Sequence, residues 1–231
     1  MLNKILLPSF IFLLLLKIGA LNFTTFNLFG DEAQYWLWSK DIDFGYFSKP
    51  PFLSWIIRVY TEILGSSFVL LKLLPSFVYL LVAWSIYNLL INSGLNKKDS
   101  FAGCLIFLFI PAVSFSSFII STDLFLLLFW TLSLNQLIKI KNEQSYKNFI
   151  LLGIFLGLGF LSKYAAIYFV ISLFILILFD KRFRKIFLDH LLGFFLSFLC
   201  VFVIIVPNII WNFNNDWITL QHTSDNANFG N

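Results

Sequence analysis

Seven apolar stretches, separated by short polar or charged segments, run along this chain. They cover residues 3–22, 67–91, 100–117, 122–138, 149–162, 164–180 and 190–210. A helix needs about 20 apolar residues to cross the hydrocarbon core of a bilayer. The pattern therefore predicts an all-α, polytopic membrane protein of about seven spans, forming one membrane-embedded domain over residues 1–231. The third and fourth stretches are short and flank a Ser-rich turn over 114–121, and the fifth and sixth meet near Ser162 and Lys163. The first stretch carries Lys4 at its start and Lys17 near its end, with no small-x-small cleavage site. It reads as an uncleaved first helix rather than a signal peptide.

Composition supports this class. Hydrophobic residues make up 59% of the chain and charged residues only 12%, with a mean hydropathy of +0.87, far from a soluble globular average. The 31 Phe residues fit compositional drift at lipid-facing positions rather than a motif. Cys104 and Cys200 both lie in apolar runs, where cysteine is usually a small packing residue. No spacing resembles a zinc site.

The formal charge of +4 is a matter of topology, not of nucleic-acid binding. With a cytoplasmic N-terminus, the inner segments hold ten of the 16 Lys and Arg residues, and eight of the 12 acidic residues fall outside. Short loops rich in Lys and Arg mark the cytoplasmic side. The same orientation brings Asp31, Glu32, Lys49, Asp123, Lys163, Trp211, Asn212, Asp216 and His222 to one outer face from five separate stretches. Transporters more often place ionisable groups near the bilayer midplane within an internally repeated fold. No repeat is evident, and polar groups gathered at one interface suit an enzyme that meets lipid-borne substrates there. A transporter or flippase of lipid-linked sugars is the rival reading, but the acidic pair just outside the first span does not call for one.

Two segments of the first outer loop hold the strongest candidate chemistry. If DEAQYWLWSK is helical, Asp31, Gln34, Tyr35 and Trp38 share one face by their spacing. Its aromatic residues suit a helix lying in the headgroup layer. The plainer alternative is an interfacial anchor with Asp31 as an N-cap. In GYFSKPPFLSW, Lys49 precedes Pro50 and Pro51 and is pushed toward an extended backbone. A fixed ammonium is a good phosphate ligand, although a surface lysine in a turn fits equally well. Arg58 is a second cation or a snorkelling anchor.

Together these segments resemble the first extracytoplasmic loop of the GT-C membrane glycosyltransferases related to protein O-mannosyltransferases and the lipid A aminoarabinose transferase. Thr122-Asp123 resembles that group's Thr-Asp at a helix start. GIFLGLGFLSKYAAIYF (153–169) resembles its Gly-rich helix ending in Ser-Lys-Tyr. PNIIWNFNNDWITLQH (207–222) resembles its Pro-x-x-x-Trp-Asn segment. The resemblance implies sugar transfer from a polyprenyl-phosphate donor to a lipid A, lipopolysaccharide, other glycolipid or protein acceptor. The site would face the periplasm or exterior of the cytoplasmic (inner) membrane.

Asp31 would act as general base, with Glu32 holding the acceptor or tuning Asp31. Lys49 would stabilise the departing phosphate, and direct displacement implies inversion. Asp123, Lys163, Tyr164, Trp211, Asn212 and His222, with Tyr35 and Arg58, are further substrate-binding candidates. Four of these have a plain alternative: helix cap for Asp123, interfacial aromatic for Tyr164, headgroup anchor for Trp211 and solvated loop residue for His222. No cofactor and no metal site are expected beyond the lipid-linked donor. The group's members are longer than this chain, so a fragment ending in a polar outer loop is expected.

Overall fold

The computed structural model describes residues 3–23 and 27–226. The expected polar C-terminal end lies partly outside them, as does the side chain of Lys4. Every regular element among the described residues is helical. Contacts group the chain into two compact units: Met1–Asp41 with Ser54–Leu124, and Ile42–Leu53 with Phe125–Asn231.

The first unit holds α1 (Asn3–Phe23), α2 (Gly30–Trp38), most of α3 (Phe52–Leu64), α4 (Phe68–Asn92), α5 (Lys97–Phe109) and α6 (Pro111–Ser116). The ends of these helices follow from local chemistry. Ser67 caps α4 by accepting from the Leu70 N–H at 3.4 Å. At the far end of α4, Gly94 takes φ +99°, the left-handed conformation that glycine adopts without a Cβ penalty. The Gly94 and Leu95 N–H groups turn back onto the Ile91 and Leu90 carbonyls, a Schellman-type stop. Asn96 then starts α5 by accepting from the Lys98 and Asp99 N–H groups, both at 3.0 Å. Pro111 opens α6, at the position where its missing N–H costs nothing, and so breaks the third apolar stretch. Ala83, Cys104 and Leu108 form the core between α4 and α5. Lys17 of α1 donates to Ser76 at 3.1 Å and to Ser117, and lies over the Phe118 ring.

The second unit contains most of α7 (Asp123–Asn142), then α8 (Tyr146–Ser162), a 3-10 turn (Tyr164–Ala166), α9 (Ile167–Phe179), α10 (Lys181–Asp189), α11 (Leu191–Asn214) and α12 (Ile218–Asn226). Its frame is the pairing of α8 with α11. A Cβ at Gly153 would overlap the Ser197 carbonyl oxygen, and one at Gly157 would stand 2.9 Å from Ile204. Small residues let membrane helices approach this closely. Ser197 Oγ closes the seam by donating to the Phe149 carbonyl across it at 2.6 Å. Phe149, Leu152, Leu156, Phe169 and Ile186 build the core beside it. The 42–53 segment joins the unit through Phe52, whose ring meets Phe125 and Phe129 edge-on, both at 5.1 Å.

All seven apolar stretches are helical, but they are not seven uninterrupted rods. Among the described residues, α4, α7 and α11 each suffice by length and composition to cross a bilayer, and α9 with α10 passes as a fourth only as a pair bent by 101°. α8 is apolar but has 17 residues. The pattern merged α5 with α6 and left α10 as a charged loop. Pro111 explains the first difference. The second arises because Phe183 and Ile186 of α10 are buried, a short amphipathic period hidden within a run of cations.

Candidate active site

α2 owes its start to Glu32. Phe29 is extended ahead of the helix, and the Glu32 carboxylate reaches back to accept the Phe29 N–H at 2.8 Å. This is half of a capping box. Glu32 is fully buried and engages both oxygens: Oε2 also accepts from Lys72 Nζ of α4 at 2.5 Å, and Oε1 accepts the Ile120 N–H at 2.8 Å. The Lys72 ammonium further lies 5.0 Å from the centroid of the Phe29 ring. One carboxylate thus joins the start of α2 to α4 and to the segment before α7. Lone buried charges are costly and persist when paired and hydrogen-bonded. Glu32 meets both conditions, with both oxygens engaged inside the protein; the sequence offers it as a partner of Asp31 in the chemistry.

Asp31 differs from its neighbour. It is exposed in the first turn of α2, where the helix dipole favours an anion. No hydrogen bond or ion pair fixes its side chain among the described residues. It is not an N-cap, because Phe29 occupies that position. Tyr35, one turn on, is buried with 3% exposure, and its ring centroid is 5.7 Å from that of Trp38, as the helical spacing predicted. Burial, then the charges of Asp31 and Asp123, push the Tyr35 phenol well above the ordinary tyrosine range. Within the first unit the charges of Asp31 and Asp123 thus both bear on Tyr35. Asp123 is exposed in the first turn of α7. Arg58 pairs with Glu62 at 2.5 Å and donates to the Lys40 carbonyl at 3.3 Å.

The second unit collects the other candidates. Lys49, Lys163, Tyr164 and Thr223 line one groove of about 280 Å³. Tyr164 is held by α11: its hydroxyl donates to Asn208 Oδ1 at 2.9 Å and accepts from Asn212 Nδ2 at 3.0 Å. Asn208 also donates to the Phe44 carbonyl at 2.6 Å, and Thr219 donates to the Tyr46 carbonyl at 2.7 Å. The backbone leading to Lys49 is thereby tied to α11 and α12. Trp211 completes the tie. Its indole lies so close on Gly45 that a Cβ there would overlap the ring. Trp211, half-buried, thus packs one face of its indole against the protein. His222 stacks edge-on against Phe47 with centroids 4.6 Å apart.

Sequence reasoning missed Lys72, Asn208 and Gly45. Lys72 had a usable signal, since an ammonium inside an apolar span ordinarily has a partner. Asn208 and Asn212 had another, lying four residues apart on one helix face. Nothing in the sequence pairs Gly45 with Trp211. Among the described residues no three His, Cys, Asp or Glu side chains gather into a metal-binding group.

Residues 48–211 match the family of dolichyl-phosphate-mannose-protein mannosyltransferases. The matched region holds Lys49, Asp123, Lys163, Tyr164 and Trp211, and the chain belongs to this family of GT-C membrane glycosyltransferases. Its relatives include three proteins of Rhizobium johnstonii. The lipid A galacturonosyltransferase RgtD is 31% identical over 214 residues, covering 92% of this chain and 44% of the relative. The lipopolysaccharide core galacturonosyltransferases RgtB and RgtA are 28% and 27% identical, covering 88% and 78% of this chain and 42% and 36% of theirs. The chain thus spans less than half the length of each. No solved structure matches it.

Proposed function

We propose that this chain carries the catalytic loop of a membrane enzyme that transfers a sugar from a polyprenyl-phosphate donor to lipid A or the lipopolysaccharide core. Galacturonic acid is the favoured sugar, because the three relatives are named for its transfer. We further propose about seven spans, a cytoplasmic N-terminus, α2 lying at the outer interface of the inner membrane, and chemistry on the periplasmic side. The charge bias of the loops and the aromatic residues of α2 support this arrangement.

In the proposed reaction an acceptor hydroxyl oxygen attacks the anomeric carbon while the bond from that carbon to the donor phosphate oxygen breaks. The hydroxyl proton passes to the Asp31 carboxylate as general base. The lipid phosphate departs without needing a proton, its charge met by Lys49, and the anomeric configuration inverts. Lys163 and Tyr164, which share the groove with Lys49, complete the phosphate side.

The observation that carries this reading is the unequal surroundings of two adjacent carboxylates. Glu32 is sealed in with both oxygens engaged, while Asp31 is exposed beside it. One side chain builds the turn and leaves the other available for proton transfer. The test reconstitutes the full-length protein with radiolabelled polyprenyl-phosphate sugars and lipopolysaccharide precursors, alongside Asp31→Asn. The parent transfers sugar, and the variant loses about 10²–10⁴-fold in rate with unchanged thermal unfolding. Equal transfer by a folded Asp31→Asn protein would remove Asp31 from the chemistry. A parent that moves intact lipid-linked sugar across the bilayer without transferring it would establish the flippase reading instead.

A further inference from the structure

α10 and the groove beside it are not needed for sugar transfer as proposed. The groove, about 440 Å³, opens among α8, α9 and α11, and its lining includes Leu156, Phe174, Ile177, Phe187 and Phe198. Phe187 comes from α10, which turns 101° away from the axis of α9. If α9 crosses the bilayer, α10 lies nearly in the membrane plane. Its sequence, KRFRKIFLD, buries Phe183 and Ile186 and exposes Lys181, Arg182, Arg184 and Lys185. A short basic amphipathic helix of this kind sits at the headgroup boundary.

The four cations are not equivalent. Arg182 donates to the Lys141 carbonyl at 3.0 Å. Arg184 donates through Nε to the Ile177 carbonyl at 3.4 Å and through Nη2 to the Leu178 carbonyl. Since Ile177 lines the groove, Arg184 stands at its inner end, where the last carbonyls of α9 are. Lys181 and Lys185 make no hydrogen bond or ion pair among the described residues. At 100° per residue, Phe187, Arg184, the exposed Leu188, Lys181 and Lys185 follow one another around α10. The apolar slot therefore ends beside Arg184, with Lys181 and Lys185 further round the same side of α10.

We propose that this is a binding site for one anionic phospholipid of the cytoplasmic leaflet. An acyl chain would fill the groove between α8, α9 and α11, and the phosphate would rest on Arg184 and Lys181, with Lys185 adding charge. The inference rests on the membrane orientation proposed above, but not on the sugar-transfer chemistry.

The test purifies the full-length protein in mild detergent, adds phosphatidylglycerol or phosphatidylcholine of identical chains, and counts retained lipid by native mass spectrometry. Phosphatidylglycerol is retained at least tenfold over phosphatidylcholine. Lys181→Gln/Lys185→Gln lowers its retention by about fivefold per lysine, and Ile177→Trp, which fills the inner end of the slot, abolishes it with the charges intact. Should Ile177→Trp fail to fold, phosphatidylglycerol bearing a diazirine on its acyl chain labels peptides of α9 and α11 in the parent. Equal retention of the two lipids would overturn the proposal. So would labelling confined to α10, or displacement of the lipid by a polyprenyl phosphate that takes the groove as its own. No arm reads sugar transfer, so each of these results leaves the transferase reading where it stands.

Discussion

Removing Lys72 alone is the sharpest test of the frame beneath Asp31. The Lys72 side chain is 5% exposed and that of Glu32 is 0% exposed, with Nζ and Oε2 2.5 Å apart. Lys72→Met keeps the volume and the apolar stem but leaves the Glu32 charge with two N–H donors, those of Phe29 and Ile120. Breaking a buried pair from one side costs about 3–5 kcal/mol, or about two to four orders of magnitude in the unfolding equilibrium. The double variant Lys72→Met/Glu32→Gln removes both charges and should recover much of that loss, since the stranded charge causes most of it. The assay is equilibrium unfolding of the full-length protein in mixed micelles across a double-mutant cycle. A coupling energy of about 2 kcal/mol or more is expected. If Lys72→Met unfolds like the parent, or if the coupling falls below about 0.5 kcal/mol, the pair does not hold α2.

Three further outcomes follow from the packing and electrostatics. Gly153→Val should separate α8 from α11 and cost about 1–3 kcal/mol of stability, read in the same unfolding assay; a neutral result would show that the seam is not close-packed. Gly45→Ala should disturb the Trp211 contact, shifting tryptophan emission and lowering sugar transfer through the backbone that carries Lys49, while leaving bulk helicity by circular dichroism unchanged. Tyr35, raised by burial and two nearby carboxylates, should stay protonated while ordinary tyrosines ionise near pH ~10. A phenol whose folded-state value is raised contributes stability that is complete below its unfolded value and fades as pH climbs above it. Ultraviolet alkaline titration of Tyr35→Phe should therefore lack only a late-titrating phenol, and loss of an early one would contradict the burial argument.

The sequence reading was strongest where a property depends on local period or on composition. Apolar runs longer than a soluble helix needs have few physical solutions, so helical class and membrane residence followed from pattern and hydropathy. The helix over DEAQYWLWSK and its Tyr35–Trp38 face followed in the same way. Motifs spread along the chain were enough to place it in its family, because the spacing of Lys49, Asp123, Lys163 and Trp211 is written in linear order.

What linear order could not supply was which of two adjacent carboxylates is sealed and which is open. Asp31 and Glu32 differ by one methylene and one position, and about 100° of helix rotation turns one toward Lys72 and Ile120 while the other faces outward. Those partners lie 40 and 88 residues away, so only chain folding brings them to Glu32. The same holds for Trp211, whose indole rests on Gly45 far back in the chain, and for α10, whose buried Phe183 and Ile186 follow a 101° bend after α9. Local period thus determined what each segment is. The tertiary structure decided which polar groups satisfy one another, because burying a charge or an amide is tolerable only with a partner, and the chain draws those partners from distant segments.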